Sequence, residues 1–162
     1  MISRIFSVLF VCLLVVGCET PSTDGATTDG SNMSGNSGMG SQDQGIGGGE
    51  LAPGVSDTVY FAYNSSSLTS EAQAVLSKQA QYLKDNSSVS VSVEGHADER
   101  GTREFNLALG ERRANATKQF LVGAGVPAGR VSTISYGKER PVATGADEQS
   151  WALNRRTVTV AK

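Results

Sequence analysis

Hydrophobic and polar positions change their period several times along this chain. Ile5 to Val16 is an apolar run interrupted only by Ser7. Residues 19–56 then carry ten glycines, many Ser, Thr and Asn, no aromatic residue and no period. Order begins at Thr58. Thr58–Tyr63 is rich in strand formers, and Asn64-Ser65-Ser66-Ser67 breaks it. Thr69 or Ser70 suits a helix cap, with Glu71 in the first turn. Ala72, Val75, Leu76, Ala80 and Leu83 then recur at helical spacing until Asp85-Asn86. Val89, Val91 and Val93 alternate with Ser90, Ser92 and Glu94, which predicts a half-buried strand. A second helix is expected from Phe105 or Asn106 to about Val122. Leu109, Ala116 and Phe120 form one stripe, with Ala114, Thr117 and Leu121 beside it. Gly123 and Gly125 are expected to stop it, and Pro127 prevents its return. Val131–Tyr136 reads as a strand closed by Gly137. Lys138-Glu139-Arg140-Pro141 reads as a turn, 147–152 as a short helix, and Thr157–Ala161 as a last strand.

The order β-α-β-α-β-(α)-β with two amphipathic helices implies an α+β two-layer domain over 57–162, its helices on one face of a mixed sheet. Residues 19–56 bury too little apolar surface to offset the entropy of ordering, so a disordered tether is expected there. As a flexible coil, such a segment spans roughly 30–40 Å; stretched, it reaches on the order of 130 Å.

Charge divides along the same boundary. Residues 19–56 hold five acidic groups and no Lys or Arg, whereas 57–162 hold thirteen basic and eleven acidic groups, 13 − 11 = +2. Neither part has the strongly basic character of a nucleic-acid binder. Residues 1–17 read as a targeting segment: Arg4 precedes an apolar run too short to span a bilayer, and Val15-Val16-Gly17-Cys18 closes it. The small residue before Cys18 resembles a bacterial lipoprotein signal, although that pattern prefers Leu where this chain has Val15. Cleavage there would remove Cys12 and leave Cys18 as the lipidated residue. No thiol would remain for a disulfide, a metal or catalysis.

The chemistry gathers between Glu94 and Ala116, E-G-H-A-D-E-R-G-T-R-E-F-N-L-A-L-G-E-R-R-A-N-A. Asp98 lies just past a strand end. Arg113 lies two turns into a helix, on or beside its apolar stripe, where a cation needs a partner or an open pocket. Arg112 points about 100° away, toward solvent. An anion and a cation held by different elements suit a small zwitterion, because the planar guanidinium grips a carboxylate with two parallel bonds. By spacing alone, Asp98 equally suits a turn residue that caps the helix or pairs with Arg100 or Arg103. His96, the single histidine, reads as a hydrogen-bonding residue at a strand end. No nucleophile motif makes a hydrolase of His96 and Asp98, and one histidine without a thiol argues against the usual zinc sites. Glu94, Glu99 and Glu104 are expected to partner nearby arginines. Trp151 and Tyr136 read as packing residues rather than stacking platforms.

The stretch from Gly95 to Ala116 resembles the peptidoglycan-binding motif of OmpA-like domains, and is most similar to the peptidoglycan-associated lipoprotein (Pal) family. S-Y-G-K-E-R-P and N-R-R further on extend the resemblance to about residues 57–162. It implies a non-enzymatic domain, without cofactor or metal, that binds the meso-diaminopimelate of peptidoglycan stem peptides. Asp98 would accept the ammonium and Arg113 would hold the carboxylate. Asn106, Leu109, Tyr63 and Asn64 would line the pocket, and Arg155 or Arg156 would add a contact. The family usually has Asp where this chain has Asn64, and often where it has Ala62, which implies weaker attraction for a cation. The resemblance also implies lipid anchoring in the outer membrane and a Tol–Pal system in which TolB competes for the domain, with a role in division. An OmpA-like lipoprotein outside the Tol system and, more remotely, a wall-acting hydrolase are the alternatives.

Overall fold

The computed structural model describes residues 50–162. The signal segment, Cys18 and the tether up to residue 49 lie outside the described residues. The end of the expected tether is ordered: β1 (Glu50–Ala52) and β2 (Val55–Ser56) pair as a short antiparallel hairpin. Gly54 turns it with φ +75°, a backbone conformation that glycine adopts without a Cβ penalty.

The elements that follow are β3 (Thr58–Tyr60), α1 (Ser70–Asp85), β4 (Val91–His96), α2 (Arg103–Gly123), β5 (Val131–Gly137), α3 (Glu148–Asn154) and β6 (Arg156–Ala161). The main sheet runs β3-β6-β4-β5, with β4 and β5 parallel and β6 antiparallel to both of its neighbours. It is the mixed sheet expected, and the helices cover one face. Val59 of β3, Val91 and Val93 of β4 and Val131 of β5 meet Ala72, Leu76, Ala80 and Leu83 of α1 and Ala114 and Leu121 of α2 in one core. Burial of such side chains contributes about 25 cal/mol per Å² of apolar surface.

Two buried polar contacts fasten the layers. Gln79 of α1 donates to the Ser56 carbonyl at 2.7 Å and accepts from the Thr159 hydroxyl at 2.9 Å. The Thr117 and Thr157 hydroxyls meet at 3.0 Å between α2 and β6. Both ties satisfy groups that would be costly to bury alone.

Several boundaries differ from expectation for local reasons. Thr69 caps α1, its hydroxyl accepting from the Ala72 N–H. Thr102 caps α2 in the same way, so that helix starts at Arg103, two residues before Phe105. Gly123 stays inside α2, and Gly125 takes the positive φ beyond it. The first strand stops at Tyr60. Beyond it, Phe61 donates a backbone bond to the Arg155 carbonyl, outside the ladder. Val89 stays out of β4: its N–H turns back to the Asn86 carbonyl and its own carbonyl accepts from Arg130. On α2 the buried line runs through Leu109, Arg113, Ala114, Thr117 and Leu121, while Ala116 and Phe120 are only half-buried.

Candidate functional site

Strand direction creates the site. Because β6 runs against both β3 and β4, the ends of β3 and β4 and the start of β6 fall at one edge of the sheet. Loop 61–65, turn 97–102, the first turns of α2 and Arg155 therefore converge there. Gly95 lets α2 lie close: a Cβ at that position would sit 1.9 Å from the Gly110 carbonyl oxygen.

Asp98 is 4% exposed. It accepts the Arg100 N–H and Nε, each at 3.1 Å, and Arg100 Nη2 at 2.6 Å. Arg155 Nη1 stands 3.5 Å away. Burial pushes the Asp98 carboxyl up. The Arg100 hydrogen bonds and the charges of Arg100 and Arg155 outweigh it and hold the group below its ordinary value. Of the pairings open to Asp98 from its spacing, Arg100 is the one formed. The cap of α2 falls to Thr102, and Arg103 pairs with Glu139 at 3.2 Å.

Arg113 is wholly buried. Its Nε donates to the Ser65 carbonyl at 2.8 Å, Nη1 to His96 at 2.8 Å and Nη2 to Ala62 at 3.1 Å. The Phe61 ring lies 5.3 Å from the guanidinium carbon. Burial brings Arg113 down to about 10, against the opposing pull of Asp98, so it keeps its charge at neutral pH. Of the two expected ways to accommodate this cation, a partner or an open pocket, three backbone carbonyls supply the first.

The other expected residues join the same constellation. Asn106, 1% exposed, donates to the Arg100 carbonyl at 2.9 Å and holds the turn. Leu109 is buried beneath it. Tyr63 is 60% exposed, with the Arg100 guanidinium 4.0 Å from its ring centroid. Asn64 takes φ +49°, a left-handed conformation that Asn tolerates better than most residues. Arg155 is buried, donating to the Phe61 carbonyl at 3.0 Å and to Glu148 at 2.7 Å.

Other expectations need correction. Trp151 and Tyr136 are stacking platforms for the chain's own arginines: Arg100 lies 4.1 Å from the Trp151 ring and Arg140 3.7 Å from the Tyr136 ring. Glu99 accepts from the Trp151 indole N–H at 3.0 Å rather than from an arginine. Glu139 and Glu148 take the arginine pairings instead. The His96 ring is 2% exposed, and neither nitrogen has a hydrogen-bond partner. Its nearest carboxylate is Glu94, at 3.9 Å. Burial first, then the charges of Arg156 and Arg140, push His96 down to about 3. What hydrogen-bonds at this strand end is its carbonyl. Lys138, read as part of a turn, donates to the Glu99 and Gly101 carbonyls at 3.0 and 2.7 Å and fastens the Asp98 loop. Trp151 and Lys138 lie 37 to 52 residues from the groups they meet here, so no local spacing announced them.

An OmpA family model matches residues 60–155, which contain this whole constellation. The peptidoglycan-associated lipoprotein of Brucella melitensis is 46% identical over 98% of this chain and 91% of its own length. That of Pseudomonas aeruginosa is 47% identical over 93% of this chain and 92% of its own. The crystal structure of the peptidoglycan-associated lipoprotein from Burkholderia pseudomallei superposes with a TM-score of 0.64 at 45% identity, covering 65% of this chain and 90% of that one. The C-terminal domain of Helicobacter pylori MotB, 20% identical with a TM-score of 0.61, shares the fold. The chain belongs to the OmpA family and, within it, to the peptidoglycan-associated lipoproteins.

Proposed function

We propose that this chain ties the outer membrane to the cell wall: a lipid on Cys18 holds one end, and the 57–162 domain binds meso-diaminopimelate of the peptidoglycan stem peptide without covalent chemistry. One observation carries the reading. Asp98, Arg113 and Arg155, drawn from a turn, a helix and the cap between α3 and β6, converge at one end of the sheet in a chain whose relatives are named for association with peptidoglycan. A buried carboxylate held ionised by cations suits an ammonium group. Arg113 uses three of its five N–H donors on backbone carbonyls. The remaining two are the proposed donors to the ligand carboxylate. Tyr63 and Asn64, both exposed, would meet the rest of the stem peptide in this reading. In this reading TolB is a competing partner in a Tol–Pal system that acts at division, supported by resemblance rather than by geometry.

Calorimetry of the full chain in detergent tests the site. A stem peptide carrying meso-diaminopimelate is expected to bind. The same peptide carrying lysine, which keeps the ammonium and lacks the carboxylate, should bind at least about tenfold more weakly, because the Arg113 donors lose their acceptor. Asp98→Asn should weaken the diaminopimelate peptide comparably. Equal affinity for the two peptides would remove Arg113 from the carboxylate role without any need to mutate it.

A further inference from the structure

The Asp98 carboxylate already has a cation within the chain. Arg100 supplies a backbone N–H, Nε and Nη2, and its guanidinium lies between the rings of Tyr63 and Trp151 at 4.0 and 4.1 Å. The two rings come from opposite ends of the domain sequence and hold the guanidinium plane by cation–π attraction. The Asp98 side chain is 5% exposed and that of Arg100 28%, so the arginine is the more solvent-facing partner. A second carboxylate stands close: Glu148 Oε2 is 3.7 Å from Arg100 Nη1, and its side chain is 64% exposed.

We infer that Arg100 is an internal competitor for the ligand cation and sets the specificity of the site: an entering primary ammonium takes its place on Asp98, while Arg100 shifts along the two rings toward Glu148. The inference rests on the reading of Asp98 as the ammonium-binding group. The exchange suits the shapes involved. An ammonium is compact, with three donors on a rotatable stem, whereas the guanidinium is broad and leans on its flanking rings. A ligand without a cation leaves the Arg100–Asp98 bonds in place. Arg100 therefore lowers affinity for a charged amine and leaves that for an amine-free ligand unchanged.

The test compares the wild-type full chain with Arg100→Met, which keeps apolar bulk between the rings and removes the charge. The probes are a stem peptide containing meso-diaminopimelate and the same peptide containing 2-aminopimelate, which lacks the second amine. The diaminopimelate peptide should bind Arg100→Met about fivefold more tightly, the scale of a partly exposed ion pair, and the amine-free peptide should gain nothing. Trp151 is the single tryptophan. Its emission should change when the diaminopimelate peptide binds wild type, because a cation leaves Asp98 beside its ring, and should stay constant in Arg100→Met. This second readout stands even if the variant is less stable. Equal or weaker binding by Arg100→Met, with wild type binding normally, would overturn the competitor role and leave Asp98 as the ammonium site. No binding by either protein would overturn the assignment of Asp98 and this inference with it.

Discussion

Two arginines flank one carboxylate in this domain, and they do opposite work. Arg113 comes from inside α2, is fully buried and is held by three backbone carbonyls from two segments. Arg100 lies in the turn, partly exposed, and its partners are side chains: Asp98, Glu148, Tyr63 and Trp151. Backbone acceptors do not rotate away, so Arg113 fixes loop 61–65 against the end of β4. Side-chain partners rotate, so Arg100 is exchangeable. The same charge is architectural in one place and mobile in the other because burial and acceptor type differ, not because the residue does.

Removing the buried member should have the largest effect. Arg113→Met leaves the Ala62, Ser65 and His96 carbonyls without their donor. Each buried group so orphaned costs about 1–3 kcal/mol, and we expect a total loss of about 3 kcal/mol or more in urea unfolding at pH 7. A loss under about 1 kcal/mol would mean that water replaces the guanidinium easily, and the contrast with Arg100 would collapse.

His96 sharpens the comparison from the other side, since its carbonyl serves Arg113 while its buried ring faces Glu94, Tyr136, Arg140 and Arg156. The folded ring stays neutral down to about pH 3, whereas the unfolded chain takes up a proton below 6.5. The unfolded state therefore binds more protons in that window, and stability falls as pH drops through it, by up to about 1.4 kcal/mol per pH unit. At pH 5 this amounts to about 2 kcal/mol. His96→Gln should flatten the slope between pH 6.5 and 4 in pH-dependent urea unfolding. An unchanged slope would place its origin in other groups.

Arg100→Met should have the smallest effect on stability, shifting the melting midpoint by no more than about 4 °C, although it alters ligand binding. A larger shift in a thermal melt would make Arg100 architectural too. Asp98 pairs with Arg100, while Arg113 feels only its charge. The depressed Asp98 carboxyl contributes stability that is present above the ordinary value of 3.8 and lost as pH falls through the lower folded value.

Much of the fold was legible in local pattern. The helical spacing of Ala72, Leu76, Ala80 and Leu83 marks the face that α1 buries. The alternation through Val91 and Val93 marks β4. Arg113 on an apolar stripe announced a cation that needed partners, and it has them. The partners themselves were not legible. The Ser65 and Ala62 carbonyls lie 48 and 51 residues away in the chain, and every residue carries a carbonyl, so no side-chain pattern points to these two. The His96 ring was misjudged for a related reason: what faces it depends on which distant segments cover it. Trp151 was read as packing because its rotation onto Arg100 requires α3 to lie over the Asp98 turn.

The sequence by itself determined the elements from Thr58 onward, their main apolar faces and the family. These follow from short-range periodicity, turn chemistry and a motif contiguous in the chain. Tertiary structure alone decided that β6 enters between β3 and β4, and so that a strand start from the far end of the chain meets the turn at Asp98. It also decided which of two nearby arginines is locked and which can move. That outcome depends on burial and on the geometry of acceptors brought from distant segments, which spacing along one segment does not encode.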